Sequence, residues 1–153
     1  MPRIVPFLWF DDQAQHATEY YTELFPDSRI DGVGRAPDGS VLVVEFTLMG
    51  QPYRAMNGGP GHPFTDALSL QVDVDTQEEL DRIWDALINE GGHPVACGWL
   101  VDRWGLSWQV TPSMMGELMA AGGDHAAATR VYEAMRDMVK LDIAALRSAS
   151  APA

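Results

Sequence analysis

The sequence predicts an α+β fold made of two copies of one strand–helix–strand unit, followed by a C-terminal helix. Hydrophobic residues form 46% of the 153-residue chain, which is enough to bury a core. A strand-like stretch, an amphipathic helix and further strands occur twice, on either side of a Gly- and Pro-rich linker over 58–63. The ends of the two copies also align, since "GQPYRAMN" (50–57) matches "GLSWQVTP" (105–112). This alignment places Tyr53 on Trp108, and both are predicted to face helices.

The first unit is predicted over 3–57. It begins with a strand that is rich in Ile, Val, Phe and Trp. Asp11 or Asp12 is expected to cap the helix that follows, because a carboxylate accepts hydrogen bonds from the free amides of a first turn. A weak strand over 28–36, a strong strand over 41–49 and the strand "YRAMN" complete the unit.

Side chains alternate along the strong strand "VLVVEFTLM", so its two faces can be separated. The set predicted to lie in the core is Leu42, Val44, Phe46 and Leu48. The set predicted to face a cavity or solvent is Val41, Val43, Glu45 and Thr47.

The second unit is predicted over 66–112 and repeats the order of the first. "ALSLQVDV" alternates as a strand does, and Asp75 or Thr76 is expected to cap a helix with a single apolar stripe. "VACGWLVDR" contains one or two short strands, and "LSWQVTP" supplies the last one.

One C-terminal helix is predicted over 124–147, with an apolar stripe along one side. Little else within one chain is left for this stripe to cover. Each half-unit also cannot bury both faces of a sheet alone, so the halves must pack on each other or on a second chain. We therefore expect a homodimer.

Charge and cysteine content exclude several classes of partner. The formal charge is −12, from 22 acidic and 10 basic residues, and such a surface repels nucleic acid and anionic membranes. The single cysteine, Cys97, excludes an internal disulfide and suits a reducing compartment. No apolar run approaches the roughly 18 residues of a membrane span, and no targeting segment is convincing. The sequence therefore predicts a cytoplasmic protein.

Four stretches carry a resemblance to a known family, and together they span nearly the whole chain. They are "FLWFDDQAQHATEYYTELFPDSRI" (7–30), "EFTLMGQPYRAMNGGP" (45–60), "CGWLVDRWGLSWQVTP" (97–112) and "AATRVYEAMRDMVKLDIAALRSA" (127–149). In these the chain resembles the PhnB-like family, often labelled 3-demethylubiquinone-9 3-methyltransferase, of the vicinal oxygen chelate superfamily. This superfamily includes glyoxalase, bleomycin-resistance and extradiol dioxygenase proteins. The resemblance implies tandem βαβββ modules whose sheets curve into half-barrels, and a dimer.

The resemblance also implies where a metal would lie, since His, Glu or Gln on the first and last strand of each module hold a divalent ion in the superfamily. The corresponding residues here are Val5, Arg54, Ser69 and Gln109. Val5 has no donor atom, and the fixed charge of Arg54 repels a cation. The hydroxyl of Ser69 and the amide of Gln109 are too weak alone. We therefore predict no metal and no other cofactor, including S-adenosylmethionine, because the Gly-rich "GGPGHP" precedes no helix.

The same positions are expected to point into a cavity, together with their alternating neighbours. The predicted ligand-binding residues are Phe7, Trp9, Arg54, Met56, Ser69, Gln71 and Gln109. Aromatic walls with one arginine suit an organic ligand that carries an anionic or carbonyl group. Glu45 is a candidate general base if it is buried. The alternative interpretation of Glu45 is a solvated residue or an ion-pair partner of Arg54.

Three functions remain open on the sequence alone. The first is a metal-free protein that binds a small organic molecule. The second is an enzyme acting on a small oxygen-rich substrate, either a metal-dependent isomerase, thiol transferase or dioxygenase, or a metal-free acid–base catalyst. The third is a structural or partner-binding dimer whose cavity is closed.

Overall fold

The structure is a computed structural model, and it describes residues 1–152. These residues form an α+β fold, as predicted from the sequence. In chain order the elements are β1 (Phe7–Phe10), α1 (Ala14–Leu24), β2 (Arg29–Arg35), β3 (Val41–Leu48), β4 (Gln51–Asn57), β5 (Ser69–Val74), α2 (Gln77–Ile88), β6 (His93–Pro94), β7 (Trp99–Val101), β8 (Ser107–Pro112), α3 (Met115–Ala120), α4 (His125–Arg136) and α5 (Ile143–Ser150). The chain divides into two compact units, an N-terminal unit over Met1–Phe64 and a C-terminal unit that begins at Thr65.

The N-terminal unit contains a four-stranded sheet, sheet A, in the order β1-β4-β3-β2. β1 and β4 are parallel, whereas the other neighbours are antiparallel. α1 packs on one face of this sheet, against β2, β3 and β4. The buried side chains between helix and sheet include Leu8, Phe10, Ala17, Tyr21, Val44, Phe46 and Ala55.

β3 follows the predicted alternation with two exceptions. Val44, Phe46 and Leu48 are buried and Glu45 is exposed, as the pattern requires. Leu42, predicted to be core, is instead 42% exposed. Thr47, predicted to face a cavity or solvent, is buried, and its hydroxyl is satisfied by donating to the Oδ2 of Asp31 at 2.6 Å.

The start of α1 differs from the prediction that Asp11 or Asp12 caps it. The N-cap residue is Gln13, and its side chain makes no cap hydrogen bond. The backbone amide of Ala14 instead donates to the Oδ1 of Asn57, at the end of β4, over 2.8 Å. The helix is therefore tied to its own sheet at its first turn. α2 begins as predicted, since the hydroxyl of its N-cap Thr76 accepts from a first-turn amide.

The C-terminal unit repeats this arrangement in sheet B, whose strand order is β5-β8-β7-β6. β5 and β8 are parallel, and α2 packs against β5, β7 and β8. The buried side chains between them include Val72, Leu80, Ile83, Trp84, Leu87, Leu100, Trp108 and Val110. Trp108 is 2% exposed, and its indole N–H donates to the Oδ2 of Asp102 at 2.8 Å.

The prediction of one C-terminal helix over 124–147 is wrong, because the helix is interrupted in the middle of this range. α4 ends at Arg136, and α5 starts at Ile143 with Asp142 as its N-cap. Between them the chain leaves the helical path. The carbonyls of Met138 and Val139 there accept hydrogen bonds from the amides of residues 97 and 98.

The side chain of Gln77, in the first turn of α2, holds the start of α5. Its Nε2 donates to the carbonyl of Leu141 at 3.1 Å, and its Oε1 accepts from the amide of Ile143 at 2.9 Å. Leu141, Ile143 and Leu146 are buried in the C-terminal unit. Much of the apolar stripe is therefore covered within the chain. The sequence had predicted that little within one chain would cover it, and the expected contact with a second copy was based on that prediction.

Among residues 1–152, none of the helices has the length and apolar character that crossing a bilayer requires.

Candidate functional site

One face of sheet A lies against α1, and the opposite face carries most of the predicted site residues of the N-terminal unit. We call this second surface the open face, and it is formed by Phe7, Trp9, Val43, Glu45, Arg54 and Met56. Phe7 is 51% exposed although it is a large apolar residue. Glu45 is exposed, and the other four are partly exposed.

Strand register arranges the open face in two rows. Phe7 on β1 lies beside Arg54 on β4, which in turn lies beside Glu45 on β3. One step along the strands, Trp9 lies beside Met56, which lies beside Val43. Side chains directly opposite each other on neighbouring strands are in contact distance. The sheet therefore places a charged row next to an apolar row.

Arg54 and Glu45 form an ion pair at the centre of the charged row. The Nε of Arg54 lies 3.0 Å from the Oε1 of Glu45, and the two side chains are 38% and 54% exposed. The sequence allowed two interpretations of Glu45, and the structure shows that it is the ion-pair partner of Arg54. The burial on which its role as a general base depended is missing, and that role stays a prediction.

Trp9 is held by the linker that joins the two units. Its indole N–H donates to the carbonyl of Gly59 at 2.9 Å, and its ring centroid lies 4.3 Å from that of His62. A Cβ atom placed on Gly58 would lie 2.3 Å from the Trp9 ring. Glycine is therefore required at this contact. The linker packs on Trp9, so this ring is less available to a ligand than Phe7 is.

Tyr53 belongs to the other face of β4, as the sequence predicts. Its ring stacks on Phe46 with a centroid distance of 5.4 Å. Burial raises the pKa of the Tyr53 phenol above its usual value, so the group is a neutral hydroxyl at ordinary pH.

The predicted site residues of the C-terminal unit lie on sheet B and hydrogen-bond among themselves. The amide Nε2 of Gln109 donates to the hydroxyl of Ser69 at 2.9 Å. Gln71 lies directly beside Gln109 in the strand register, and its amide donates to Asp73 at 2.9 Å. This surface offers neutral amide and hydroxyl groups with an acid at its side.

The four residues at the superfamily's metal-ligand positions do not suit a divalent ion. Val5 has no donor, and Arg54 is a cation already paired with Glu45. Ser69 and Gln109 satisfy each other by a hydrogen bond. Within residues 1–152, no group of three or more His, Cys, Asp or Glu side chains is placed to hold a metal ion. We derive no chemistry through a metal at these positions.

A cleft of about 370 Å³ opens at one end of the open face. The charged side chains that line it are Arg3, Arg29, Asp31, Glu45 and Arg54. Arg3, Arg29 and Asp31 were not predicted as site residues from the sequence. Asp31 reaches the cleft through a shift in the β2–β3 register between Ile30 and Gly32, which no local sequence pattern indicates.

Two open four-stranded sheets of equivalent strand order, each with a helix on one face, define a tandem βαβββ protein of the vicinal oxygen chelate class. Within that class, the chain belongs to the family described as 3-demethylubiquinone-9 3-methyltransferase, which matches residues 2–111. The family predicted from the sequence is thus confirmed. A comparison with proteins of curated function finds no match.

One solved structure supports the same assignment, and two others share the fold. The PhnB protein of Bacillus cereus is 32% identical, with a TM-score of 0.68, and the match covers 73% of this chain and 100% of that one. Protein PA1353 of Pseudomonas aeruginosa is 21% identical over 73% of this chain and 98% of its own, with a TM-score of 0.58. The fosfomycin resistance protein FosX of Listeria monocytogenes, solved with Mn(II) and sulfate, is 13% identical over 76% and 95%, with a TM-score of 0.57. The last two similarities show the fold alone.

Proposed function

We propose that the protein binds a small organic molecule on the open face of the N-terminal unit, without a resident divalent metal. One observation carries this proposal. The β4 position that would supply a metal ligand in the superfamily holds Arg54, which is paired with Glu45 and lies beside the half-exposed ring of Phe7. An exposed apolar ring next to a cation is a surface for a ligand with an apolar body and an oxygen-bearing group.

Arg54 is placed to supply the polar contact. Its Nε is used by Glu45, and its two terminal nitrogens have no hydrogen-bond partner among residues 1–152. A guanidinium group offers several N–H donors in a rigid planar arrangement, and it matches carbonyl and carboxylate oxygens well. Ser69, Gln71 and Gln109 stay predicted ligand contacts of the C-terminal unit.

Two other activities are less well supported. The turns before α1 and α2 read "DDQ" and "DT", so neither strand–helix junction has the Gly-rich turn at which common S-adenosylmethionine enzymes bind their cofactor. We therefore do not extend the methyltransferase description of the family to this chain. An acid–base enzyme that uses Glu45 is disfavoured, because this carboxylate is exposed and paired with a cation.

A homodimer remains part of the proposal. It is supported by the resemblance and by exposed apolar residues of the N-terminal unit other than Phe7, namely Ile4 and Leu42, which are 93% and 42% exposed. Light scattering after size-exclusion chromatography should give a mass near twice the 16.8 kDa of the chain. A monomer at micromolar concentration would overturn it.

The main test examines the binding of metal ions and the binding of organic ligands separately. Protein dialysed against a chelator is titrated with manganese, zinc, iron and nickel salts by calorimetry, and stoichiometric tight binding would overturn metal independence. The same protein is then screened by thermal shift against small carbonyl compounds and acids. Hits should weaken in Arg54→Gln and persist in Arg35→Gln. Arg35 is a suitable control, because it is exposed and its guanidinium bonds, among residues 1–152, only to the carbonyl of Gly39, at 3.0 Å.

A further inference from the structure

The cleft at the end of the open face is a positive region in a strongly acidic protein. The chain carries 22 acidic and 10 basic residues, yet three arginines and two acids line this cleft. The arginines are Arg3, Arg29 and Arg54. They come from the segment before β1, from β2 and from β4, so the fold and not the local sequence gathers them.

Two of these arginines are paired with carboxylates, and each pairs only through the Nε edge of its guanidinium group. The Nε of Arg29 lies 2.8 Å from the Oδ1 of Asp31, just as the Nε of Arg54 lies 3.0 Å from Glu45. Asp31 is itself fixed, because its other oxygen accepts from the hydroxyl of Thr47. Each guanidinium is thus oriented through Nε, while its terminal nitrogens have no hydrogen-bond partner within the described part of the chain.

Arg3 has neither a hydrogen bond nor an ion pair among residues 1–152. With Arg3, Arg29 and Arg54 against Asp31 and Glu45, the cleft carries one positive charge in excess. A ligand with a single negative charge neutralises this excess. A doubly charged group would leave one negative charge unbalanced, close to two carboxylates.

The neighbouring surface favours an apolar body on that ligand. Val5 lines the cleft, and Phe7 lies beside Arg54 in the strand register with half of its surface exposed. An oxyanion that reaches the arginines from this side would place the atoms attached to it on Phe7. Planar carboxylates pair well with guanidinium groups through two parallel hydrogen bonds.

We propose that the ligand is a monocarboxylic acid with an aryl or alkyl body, whose carboxylate is bound in the cleft by Arg3, Arg29 and Arg54. This inference rests on the proposed function, which places a small organic ligand on the open face, and it names the chemical class of that ligand. The arginines contribute through charge and terminal N–H donors, and Asp31 and Glu45 orient two of them.

The first experiment uses matched probes. Phenylacetate, phenylacetamide and phenyl phosphate, with hexanoate and hexanamide as the alkyl pair, are titrated into the full-length protein by calorimetry at low salt. We expect each acid to bind about tenfold more tightly than its amide, the difference made by about one charge-assisted hydrogen bond. Binding of the acids should weaken as sodium chloride is added, because the cleft is open to solvent.

The outcomes separate this inference from the proposed function. Equal binding of acid and amide would overturn the carboxylate assignment and leave a ligand site on the open face. Tighter binding of phenyl phosphate than of phenylacetate would overturn the charge match and indicate a phosphate ligand instead. Absence of binding by all five probes would count against both proposals.

Variants locate the binding. Arg3→Gln and Arg29→Gln should each weaken phenylacetate binding about tenfold and leave phenylacetamide binding unchanged. Arg3 is exposed and unpaired among the described residues, so its loss removes no contact of the fold. Glu45→Gln should strengthen phenylacetate binding, because it releases the Nε of Arg54 and adds one unit of positive charge.

Arg35→Gln is the matched control, because it changes the net charge equally outside the cleft. It should bind all probes as the unmodified protein does. If Arg3→Gln and Arg29→Gln also bind phenylacetate normally, the cleft is not the carboxylate site.

Discussion

Sheets A and B have equivalent strand orders, yet the surfaces opposite their helices differ in chemistry. In sheet A that surface holds an exposed aromatic ring and an arginine–glutamate pair. In sheet B the corresponding strands carry neutral amides and hydroxyls that bond to each other. Arg54 and Gln109 occupy equivalent places in the repeat. The two units are therefore alike on the side where a helix packs, and they differ on the opposite side.

The largest difference we expect lies on the side of each sheet that faces its helix, at Trp108 and Tyr53, which are equivalent in the repeat. Trp108→Ala should lower the free energy of unfolding by about 3–5 kcal/mol, since a fully buried ring is lost together with its bond to Asp102. Tyr53→Ala should cost about 1–2 kcal/mol, because the Tyr53 side chain is only half-buried. Urea unfolding monitored by circular dichroism measures both. A larger loss for Tyr53→Ala would mean that the two positions are not packed as described.

The next largest effect is expected at the contact of the linker with Trp9, which belongs to the N-terminal unit. Gly58→Ala should destabilise the protein by about 1–3 kcal/mol, because the added methyl group overlaps the ring of Trp9. Gly116→Ala is the control, since its Cβ would meet no atom within 4 Å. Thermal unfolding compares the two variants. Equal melting temperatures for both would contradict the packing of the linker on Trp9.

The two helix starts provide a closer comparison. Thr76→Ala removes a conventional cap from α2 and should cost about 1 kcal/mol. Asn57→Ala should cost somewhat more, about 1–2 kcal/mol, because Asn57 also donates to the carbonyl of Val41 at 3.2 Å. Urea midpoints would rank the two. The reverse order would show that the bridge from β4 to α1 contributes little.

The smallest effects should come from one exposed ion pair in each unit. The Lys140 ammonium, helped by the Gln77 amide, lowers the pKa of Asp81 below its ordinary value. A lowered folded-state pKa stabilises the protein above the unfolded value and is lost as pH falls through the folded one. Lys140→Gln should therefore cost about 0.2–1 kcal/mol at pH 7, and this difference should shrink below about pH 4.

Glu45→Gln is the counterpart in the N-terminal unit and should change stability by less than about 0.5 kcal/mol. Urea unfolding at pH 7 and at pH 3.5 tests both pairs. A cost for Lys140→Gln that stays constant between these pH values would contradict the role given to Asp81.

The fold could be predicted from sequence wherever the spacing of apolar residues along a single strand or helix determines which side chains are buried. Alternation placed Val44, Phe46 and Glu45 correctly, and the apolar stripe of α2 identified its buried residues. Errors occurred where a distant partner competes with the local pattern. The helical stripe over 124–147 is broken because backbone groups near Met138 bond to residues far earlier in the chain.

The same limit applies to the site. Strand alternation brought Phe7, Arg54 and Glu45 to one face, because their facing depends only on the register of neighbouring strands. Asp31 was missed because it lies at a shift in the β2–β3 register, between Ile30 and Gly32. Arg29 was missed because the short polar strand β2 shows no clear alternation in the sequence. The contact of Trp9 with Gly58 and His62 also could not be foreseen, since it joins residues about fifty positions apart with no shared pattern.

The break between α4 and α5 has a consequence for the order of events during protein synthesis. The core of the N-terminal unit is complete once Phe64 has been made, whereas that of the C-terminal unit needs Leu141 and Leu146. These residues lie about 80 positions after Phe64, and synthesis of that stretch takes about 4–16 s at ordinary rates of translation. During that interval Gly98 and Gln77 lack their partners from the end of the chain. The N-terminal unit should therefore reach its folded state first, and nascent chains should expose the C-terminal unit to chaperones and proteases for longer.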